Sequence, residues 1–325
     1  MNADSTLPQT RVRAGGTVLS LLAGPLCAPI LRAHLDGPLR LPDLREHLGG
    51  AAQTTLRGQV GNLRDLGALE RHVRSGMPYT VENELTEIGH GILAVADVVE
   101  AWLGRAPQGP VAFGSEPAKG AIRALVAGWD STVLRALAAR PLSLTELDGV
   151  IPEVSYPAIE RRLSAMRAAR QVEMSLDGAG GAKPYAVTEW TRRAVRPLVA
   201  AGRCECEHLA EATDPLTRID VETAFLLAAP LAALPATAAG TCLLAVSADD
   251  GEDEEKLIGV DVEVERGEVV SCDVGIGPEP RTWAKGAVAS WTAAILDGVP
   301  HDLEFGGADP RFACALVEGM HTSLL

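Results

Sequence analysis

The chain has 325 residues, a length that predicts two or three domains. Apolar residues make up 47% and charged residues 22%, which is the mixture of an ordinary folded protein and excludes disordered, collagen-like and disulfide-scaffold classes. The net charge of −14 is unevenly distributed, at −1 over residues 1–110, +2 over 111–208 and −15 over 209–325. The first two thirds can therefore approach a polyanion that the last third would repel.

The chain carries no signal for export or for membrane insertion. No run of about 18 apolar residues occurs, and residues 1–10 lack the basic start and apolar core of an export signal. The six cysteines show no framework spacing, so reduced thiols are the expectation. We expect a cytoplasmic protein with no membrane partner.

The first hundred residues predict a helix, a short helix, a third helix, a hairpin and a final helix. Apolar residues recur at helical spacing in the helices, and glycine or proline lies at most of the breaks. The predicted elements cover, in chain order, residues 18–35, 42–48, 56–63, 69–73, 79–85 and 88–103. Helix, turn and helix followed by a two-stranded ribbon is the layout of a winged helix-turn-helix.

A second copy of this pattern follows at a spacing of 103 residues. Residues 38–44 (PLRLPDL) align with 141–147 (PLSLTEL), and after the loss of one residue 85–87 (LTE) align with 187–189 (VTE). The apolar positions of the third helix also align, Leu56, Val60 and Leu63 with Ile159, Leu163 and Met166. A constant register of this length predicts two copies of one unit.

The second copy has its own helix and wing signals. Ser155 is predicted to cap the helix that begins at Tyr156-Pro157. Residues 177–181 (DGAGG) are predicted to form a glycine-rich wing tip rather than a phosphate loop, because no Gly-Lys-Ser/Thr sequence opens a helix there.

Three segments resemble the HxlR-type winged-helix transcriptional regulators. They are 39–44 (LRLPDL), 63–71 (LRDLGALER) and 79–89 (YTVENELTEIG), and Trp102 accompanies them. The resemblance implies homodimers whose recognition helices enter the DNA major groove. Two copies in one chain would then be a covalently linked version of that dimer, and whether the linked pair dimerises again as a homodimer stays open.

The resemblance covers residues 16–105 well and 119–205 more loosely. Cys204 lies where the first copy has Trp102, and 189–191 (EWT) replace 87–89 (EIG). These departures make the first copy the stronger candidate for a DNA-binding role.

The third helix of each copy is the predicted recognition helix. With Leu56, Val60 and Leu63 facing inward, a small polar face that includes Gly58 and Gly61 lies outward. The candidate DNA contacts are polar and basic residues of the recognition helices and wings, namely Thr55, Arg57, Asn62, Arg64, Arg71, Arg74, Arg161, Arg162 and Lys183. The competing interpretation is a solvated face that binds protein or another copy of the chain.

Residues 217–325 predict a separate α+β unit with one sheet covered by helices. Helices are predicted over 219–234, 283–296 and 312–324, and strands over 242–248, 257–265, 268–274 and 302–305. The acidic segment 249–255 (DDGEDEE) lacks the ligand spacing of a calcium loop, so a solvated hairpin tip is expected.

The layout of this unit, with Trp283, Trp291, Asp297-Gly298, Gly306-Gly307 and the terminal helix, resembles the sterol carrier protein type 2 family. That resemblance implies an apolar tunnel that binds a small hydrophobic ligand. The candidate wall residues are Phe225, Trp283, Trp291, Phe312, Met320 and His321. Ordinary core packing is the competing interpretation for each of them.

Signals for metal binding and catalysis are weak. Cys204, Cys206 and His208 form the most metal-like cluster, but no second pair stands at finger spacing, so no metal site is assigned. The expected role of this cluster is an ordinary helix end or linker. Binding of a soft metal ion and a redox-active thiol are the alternatives. Hydrolase, zinc-protease and dinucleotide signatures are missing from the sequence, and we expect neither catalysis nor a cofactor.

The sequence therefore predicts an α+β chain of three domains. Two tandem winged helix-turn-helix domains over 14–106 and 116–208 precede a sterol-carrier-like domain over 215–325. The predicted function is a one-component transcriptional regulator whose partners are double-stranded DNA and a small hydrophobic ligand. The alternatives are a ligand-sequestering or resistance protein that does not read DNA, and an enzyme acting on DNA or on the metabolite.

Overall fold

A computed structural model describes residues 14–74, 79–130, 133–152, 154–174, 183–211, 213–247, 257–275 and 282–325, without the side chains of 127–130. The predicted wing tip at 177–181 and the acidic tip at 249–255 lie outside the described residues, as does most of the turn between the first two predicted strands.

The N-terminal unit is a winged helix-turn-helix. Its helices are α1 Gly16–Leu22, α2 Cys27–Ala33, α3 Leu41–His47, α4 Gln53–Asp65 and α5 Glu87–Leu103, and its strands are β1 Leu39–Arg40, β2 Leu69–Arg74 and β3 Thr80–Leu85. The strands pair in the antiparallel order β1-β3-β2. This confirms the layout predicted for the first copy.

One correction concerns residues 18–35, which were predicted as a single helix. The structure divides them into α1 and α2, whose axes are bent by 84°. Pro25 has no amide hydrogen, and in a continuous helix its ring would collide with the carbonyl of Leu21. The carbonyl of Leu21 instead accepts the amide of Gly24 at 3.0 Å, which ends the first helix.

Among its described residues, the second unit has six helices and two strands. They are α6 Glu116–Asp130, α7 Val133–Ala139, α8 Leu144–Val150, α9 Tyr156–Ala168, β4 Val172–Met174, β5 Tyr185–Val187, α10 Glu189–Arg193 and α11 Val195–His208. α10 and α11 occupy the place of α5, and the break at Ala194 has a local cause, because Pro197 cannot bond to the carbonyl of Arg193. Ser155 occupies the N-cap position of α9, as predicted, but its hydroxyl makes no capping hydrogen bond.

Strand pairing in the second unit repeats that of the first at the predicted spacing. Leu39 pairs with Asn83 in the first unit, and Leu142 pairs with Tyr185 in the second. The turn that follows α4 and α9 repeats too: Gly67 after α4 has φ 81°, and Arg170 in the matching position after α9 has φ 60°.

The C-terminal unit is one five-stranded sheet with helices. Its elements are α12 Arg218–Ala228, a 3-10 turn at Ala229–Leu231, β6 Gly240–Val246, β7 Ile258–Glu265, β8 Glu268–Val274, β9 Thr282–Gly286, α13 Val288–Asp297, β10 Glu304–Gly307 and α14 Pro310–Leu324. The strand order is β10-β9-β6-β7-β8, with β6 and β9 parallel and the other neighbours antiparallel. The first helix ends earlier than the predicted 219–234.

A second correction concerns residues 283–296, which were predicted as one helix. The first part is strand β9, and α13 begins only at Val288. Thr282, Ala284 and Gly286 are buried while Trp283 and Lys285 are half-buried, which is the two-residue alternation of a strand. The sheet therefore has five strands rather than the four predicted.

The three units share one contiguous apolar core. α5 packs along α11, α1 contacts α6 and α11, and α13 contacts α11. Within the ranges given above, no single helix is long and apolar enough to cross a membrane. α1 and α2 reach that length and apolar character only when they are counted together, and they are bent by 84° to each other.

Candidate nucleic-acid interface

α4 presents one buried face and one exposed face. Leu56, Val60 and Leu63 are buried, as their spacing predicts. The predicted contacts Thr55, Arg57, Asn62 and Arg64 are all exposed. The helix therefore packs through its apolar face and leaves its polar face open to a partner.

Gly58 and Gly61 lie on this exposed side of α4. A Cβ built on either glycine would meet no other atom of the chain within 4 Å. Glycine inside a helix costs about 1 kcal/mol relative to alanine. Packing within the chain gives no reason for either glycine, whereas close approach of an external surface would.

Most of the predicted basic contacts are free to meet an anion. Five of them are exposed and have no ion-pair partner among the residues that the structure describes, namely Arg57, Arg64, Arg71, Arg161 and Lys183. Arg74 differs, because its Nε lies 2.7 Å from Glu82 Oε2 across the wing. Arg162 is half-buried, with one Nη atom buried and without a hydrogen-bond partner.

The two recognition-helix positions present different surfaces. At the register of the repeat, Gly58 corresponds to Arg161, Gly61 to Ser164 and Arg57 to Glu160. Arg161, Ser164 and Glu160 are exposed on α9, which buries Ile159, Leu163 and Met166. α9 is therefore accessible in the same way as α4, but it presents different side chains to a partner.

The junction of the two units is built by residues that depart from the repeat. Trp102 of α5 and Trp190 of α10 stack on each other and are both buried. Glu205 of α11 caps α1, accepting the amide hydrogens of Gly15 at 2.6 Å and Val18 at 2.7 Å. Sequence reasoning missed both contacts, although the mismatch of Trp102 and Trp190 with their repeat partners was a signal.

Arginines next to the C-terminal unit contact the ends of its helices. Arg192 donates to the carbonyl of Leu226 at 2.8 Å and Arg196 to that of Leu296 at 3.2 Å. Arg105 donates to the carbonyls of Leu324 and Leu325. These carbonyls lie in or just after the last turns of α12, α13 and α14, where a cation is favoured. Part of the positive charge of residues 111–208 therefore docks the acidic unit and is not available to a polyanion.

The predicted ligand residues of the C-terminal unit lie between its sheet and helices. Phe225 and Trp291 are fully buried, with ring centroids 4.4 Å apart at 68°, and Trp291 Nε1 donates to the carbonyl of Ala245 at 2.9 Å. Phe312 and Met320 are buried as well. These four residues pack against one another or their neighbours in the described core.

Trp283 and His321 are only half-buried. The ring of Trp283 covers Gly306, where any Cβ would collide with it. His321 Nδ1 lies 3.0 Å from the carbonyl of Ile295 and its ring abuts Gly298. Their role as tunnel walls stays a prediction.

Cys204, Cys206 and His208 lie in the last two turns of α11. Cys204 is buried, and burial raises the pKa of its thiol to about 11, whereas Cys206 is exposed. Cys204 and His208 are four residues apart and lie on one face of the helix, both next to Gly91, whereas Cys206 is two residues from each and faces away. Within the part of the chain that the structure describes, no three His, Cys, Asp or Glu side chains are arranged to hold a metal ion.

Comparison with known proteins matches the N-terminal unit to a family. The HxlR-like helix-turn-helix family matches residues 26–108, which include α2 to α5. No curated protein matches the chain.

Three solved structures are similar to parts of the chain. The diamide-treated YodB of B. subtilis is 28% identical and covers 27% of this chain and 88% of that chain, with a TM-score of 0.26. The reduced form of the transcriptional regulator YodB is 27% identical and covers 28% and 90%, with a TM-score of 0.27. A conserved hypothetical protein of Thermus thermophilus, described as possibly a sterol carrier protein, is 18% identical and covers 27% and 72%, with a TM-score of 0.22.

Proposed function

We propose that this chain is a one-component transcriptional regulator that binds double-stranded DNA through α4 and the wing of its N-terminal winged helix-turn-helix. The observation that carries the proposal is the outward face of α4, where Gly58 and Gly61 leave open space beside unpaired cations. The match of residues 26–108 to the HxlR-like helix-turn-helix family supports it.

In this proposal some exposed residues of α4 contact bases and others contact the DNA backbone. Thr55 and Asn62 carry hydroxyl and amide groups that bind base edges or phosphates. Arg57 and Arg64 neutralise backbone phosphates, and the two glycines let the helix backbone approach the groove closely. Arg71 and Arg74 of the wing hold the neighbouring backbone, Arg74 after leaving Glu82.

The second unit is proposed as a second winged helix, so that the chain consists of domains over 14–106, 116–208 and 215–325. The repeated strand register and the exposed face of α9 support this. Arg161, Arg162 and Lys183 would contact a second half-site, as in a dimer whose subunits are covalently joined.

The C-terminal domain is proposed to bind a small hydrophobic ligand near Phe225, Trp283, Trp291, Phe312, Met320 and His321. A ligand can shift DNA binding only if it binds the two shapes of the protein unequally. The arginines that contact the ends of α12, α13 and α14 would transmit a change in the C-terminal domain to the second unit, because a shift of those helices would move α10 and α11. We assign no reaction to the chain.

A gel shift tests the proposal. DNA from the region upstream of the gene that encodes the chain is titrated with protein at low and moderate salt, with random-sequence competitor present. We expect a competitor-resistant shift that weakens steeply with salt. Arg57→Ala combined with Arg64→Ala should weaken it and reduce the salt slope by roughly 2, or about 0.9 for each phosphate contact.

Arg311→Ala is the matched control, since Arg311 is an exposed arginine of α14 without a partner among the residues described. It should leave the shift unchanged, and circular dichroism should show both variants folded. No shift at low salt would refute the proposal and favour the ligand-sequestering protein.

A further inference from the structure

A cavity of about 610 Å³ lies at the base of the wing of the second unit. Its lining comes from the end of α9, strand β4, the start of α10 and the segment that joins the two units. Val172 and Trp190 form a buried apolar wall, and Arg167 and Arg170 supply two guanidinium groups. The volume is in the range of small-molecule sites, which is about 300 to 1,000 Å³.

The guanidinium groups at this cavity are unpaired. Arg167 and Arg170 are exposed, and neither has an ion-pair partner in the described part of the chain. Of the two carboxylates that also line the cavity, Glu189 is already bound to Arg193 at 2.6 Å, which leaves Glu173. Two guanidinium groups against the single carboxylate of Glu173 leave a net positive charge, which favours an anion.

The backbone at Arg170 gives an independent reason to assign a role to its side chain. Its φ of 60° is in the left-handed region, which disfavours side chains, and the first unit has Gly67 at φ 81° in the same turn. Strained positions of this kind are often retained at ligand sites. The arginine stands where glycine would fit without strain, and Arg170 is one of the residues that line the cavity.

The same cavity touches the junction of the two units. Trp190 is one of its lining residues, and the indole of Trp190 stacks on that of Trp102 in the first unit. A molecule bound against Trp190 would therefore bear on the stacked pair that joins α5 to α10.

We propose that this cavity binds a small organic acid, with its carboxylate between Arg167 and Arg170 and its apolar body against Trp190 and Val172. Bidentate guanidinium–carboxylate pairing gives the site its preference for acids. The site is separate from the one proposed in the C-terminal domain, and it does not depend on DNA binding.

Ligand-observed NMR on the full chain tests this with aromatic acids and their neutral amides. Phenylacetate and 1-naphthoate are compared with phenylacetamide and 1-naphthamide at millimolar concentration. We expect the acids to bind in preference to the amides. Arg170→Gly should weaken acid binding by roughly tenfold, the loss of one charge-assisted pair.

Arg170→Gly places in the second unit the residue that the first unit has, so a loss of folding would not explain weaker binding. Arg266→Gly is the matched control, because Arg266 has φ 51° and does not line the cavity. It should keep acid binding unchanged.

Two results would overturn the proposal. One is that acids bind no better than amides, or do not bind at all. The other is that acid binding survives Arg170→Gly; if that variant also loses DNA affinity, Arg170 is a phosphate contact instead.

Discussion

Trp102 and Trp190 hold the two N-terminal units together by a reciprocal contact. Their rings lie 4.4 Å apart at 6°, Trp102 Nε1 donates to the carbonyl of Trp190 at 2.9 Å, and Trp190 Nε1 donates to the carbonyl of Trp102 at 2.8 Å. The two side chains are 4% and 3% exposed. Each tryptophan thus satisfies one polar group of its partner in the core, and the pair sets the relative orientation of α5 and α10.

Replacing either tryptophan by phenylalanine should destabilise the protein, because a buried carbonyl loses its donor. We expect Trp102→Phe and Trp190→Phe each to lower the free energy of unfolding by about 1 to 3 kcal/mol. The double variant should cost about the sum of the two, because each hydrogen bond ends on a backbone carbonyl that the other substitution leaves in place. Urea unfolding measures all three.

Trp283→Phe is the control for the tryptophan pair. Trp283 is half-buried, and its indole N–H has no hydrogen-bond partner among the residues described, so its replacement should cost less. Costs at Trp102 and Trp190 no larger than the cost at Trp283 would count against the reciprocal contact.

Alanine at the outward glycines of α4 should stabilise the fold while weakening DNA binding. Gly58→Ala and Gly61→Ala should each raise the free energy of unfolding by up to about 1 kcal/mol, because alanine is the better helix former and its Cβ enters open space. The added methyl group would stand between the helix backbone and the duplex. Thermal unfolding and the gel shift are measured on the same preparations.

Gly120→Ala provides the comparison for these glycines. Gly120 is exposed in α6, and a Cβ there also meets nothing within 4 Å. It should stabilise the protein with unchanged DNA affinity. If Gly58→Ala and Gly61→Ala also keep full DNA affinity, α4 does not approach DNA closely.

Two ion pairs that dock the C-terminal unit should differ widely in their effect on stability. Arg135 Nη2 lies 2.5 Å from Oε2 of Glu222, which is only 2% exposed. Arg135→Ala leaves that carboxylate buried without its cation and should cost about 3 to 5 kcal/mol. Replacing both residues at once, as Arg135→Met with Glu222→Leu, should recover most of the loss, as measured by urea unfolding.

The exposed pair of Arg203 and Asp297 is the matched comparison. Its atoms approach to 2.5 Å, but the side chains are 37% and 44% exposed, so Arg203→Ala should cost at most about 1 kcal/mol. Equal losses for Arg135→Ala and Arg203→Ala would show that burial of Glu222 does not govern the docking.

Glu205 should make the stability of the protein depend on pH. Burial raises the pKa of this carboxyl above its ordinary value of 4.5, against the opposing effect of the amide hydrogens of Val18, Gly15 and Thr17. The folded state therefore holds this proton more tightly than the unfolded state. The contribution of Glu205 to the free energy of unfolding is greatest below pH 4.5. It falls as the pH rises through the pKa that this carboxyl has in the folded state.

Glu205→Gln has no such proton, so the difference in unfolding free energy between wild type and variant should shrink as pH rises from 4.5 towards neutrality. Urea unfolding across this range measures it. Glu207→Gln, at an exposed position of the same helix, should show no comparable trend. A gap that widens with pH would contradict the raised pKa.

Local periodicity in the sequence was sufficient to predict most individual elements. The buried faces of α4 and α9 follow directly from apolar residues three and four apart. The strands of both predicted wings also follow from short runs bounded by turn residues. These features depend on neighbours along the chain, which is why one sequence reveals them.

The tertiary structure decided the features that depend on distant partners. Residues 282–286 become a strand because β6 lies beside them to accept their hydrogen bonds, although their composition also suits a helix. The Trp102 stack, the Glu205 cap and the Arg196 contact join residues 88 or more positions apart. Spacing along a chain carries no record of such contacts, because they form only when separate elements pack against each other.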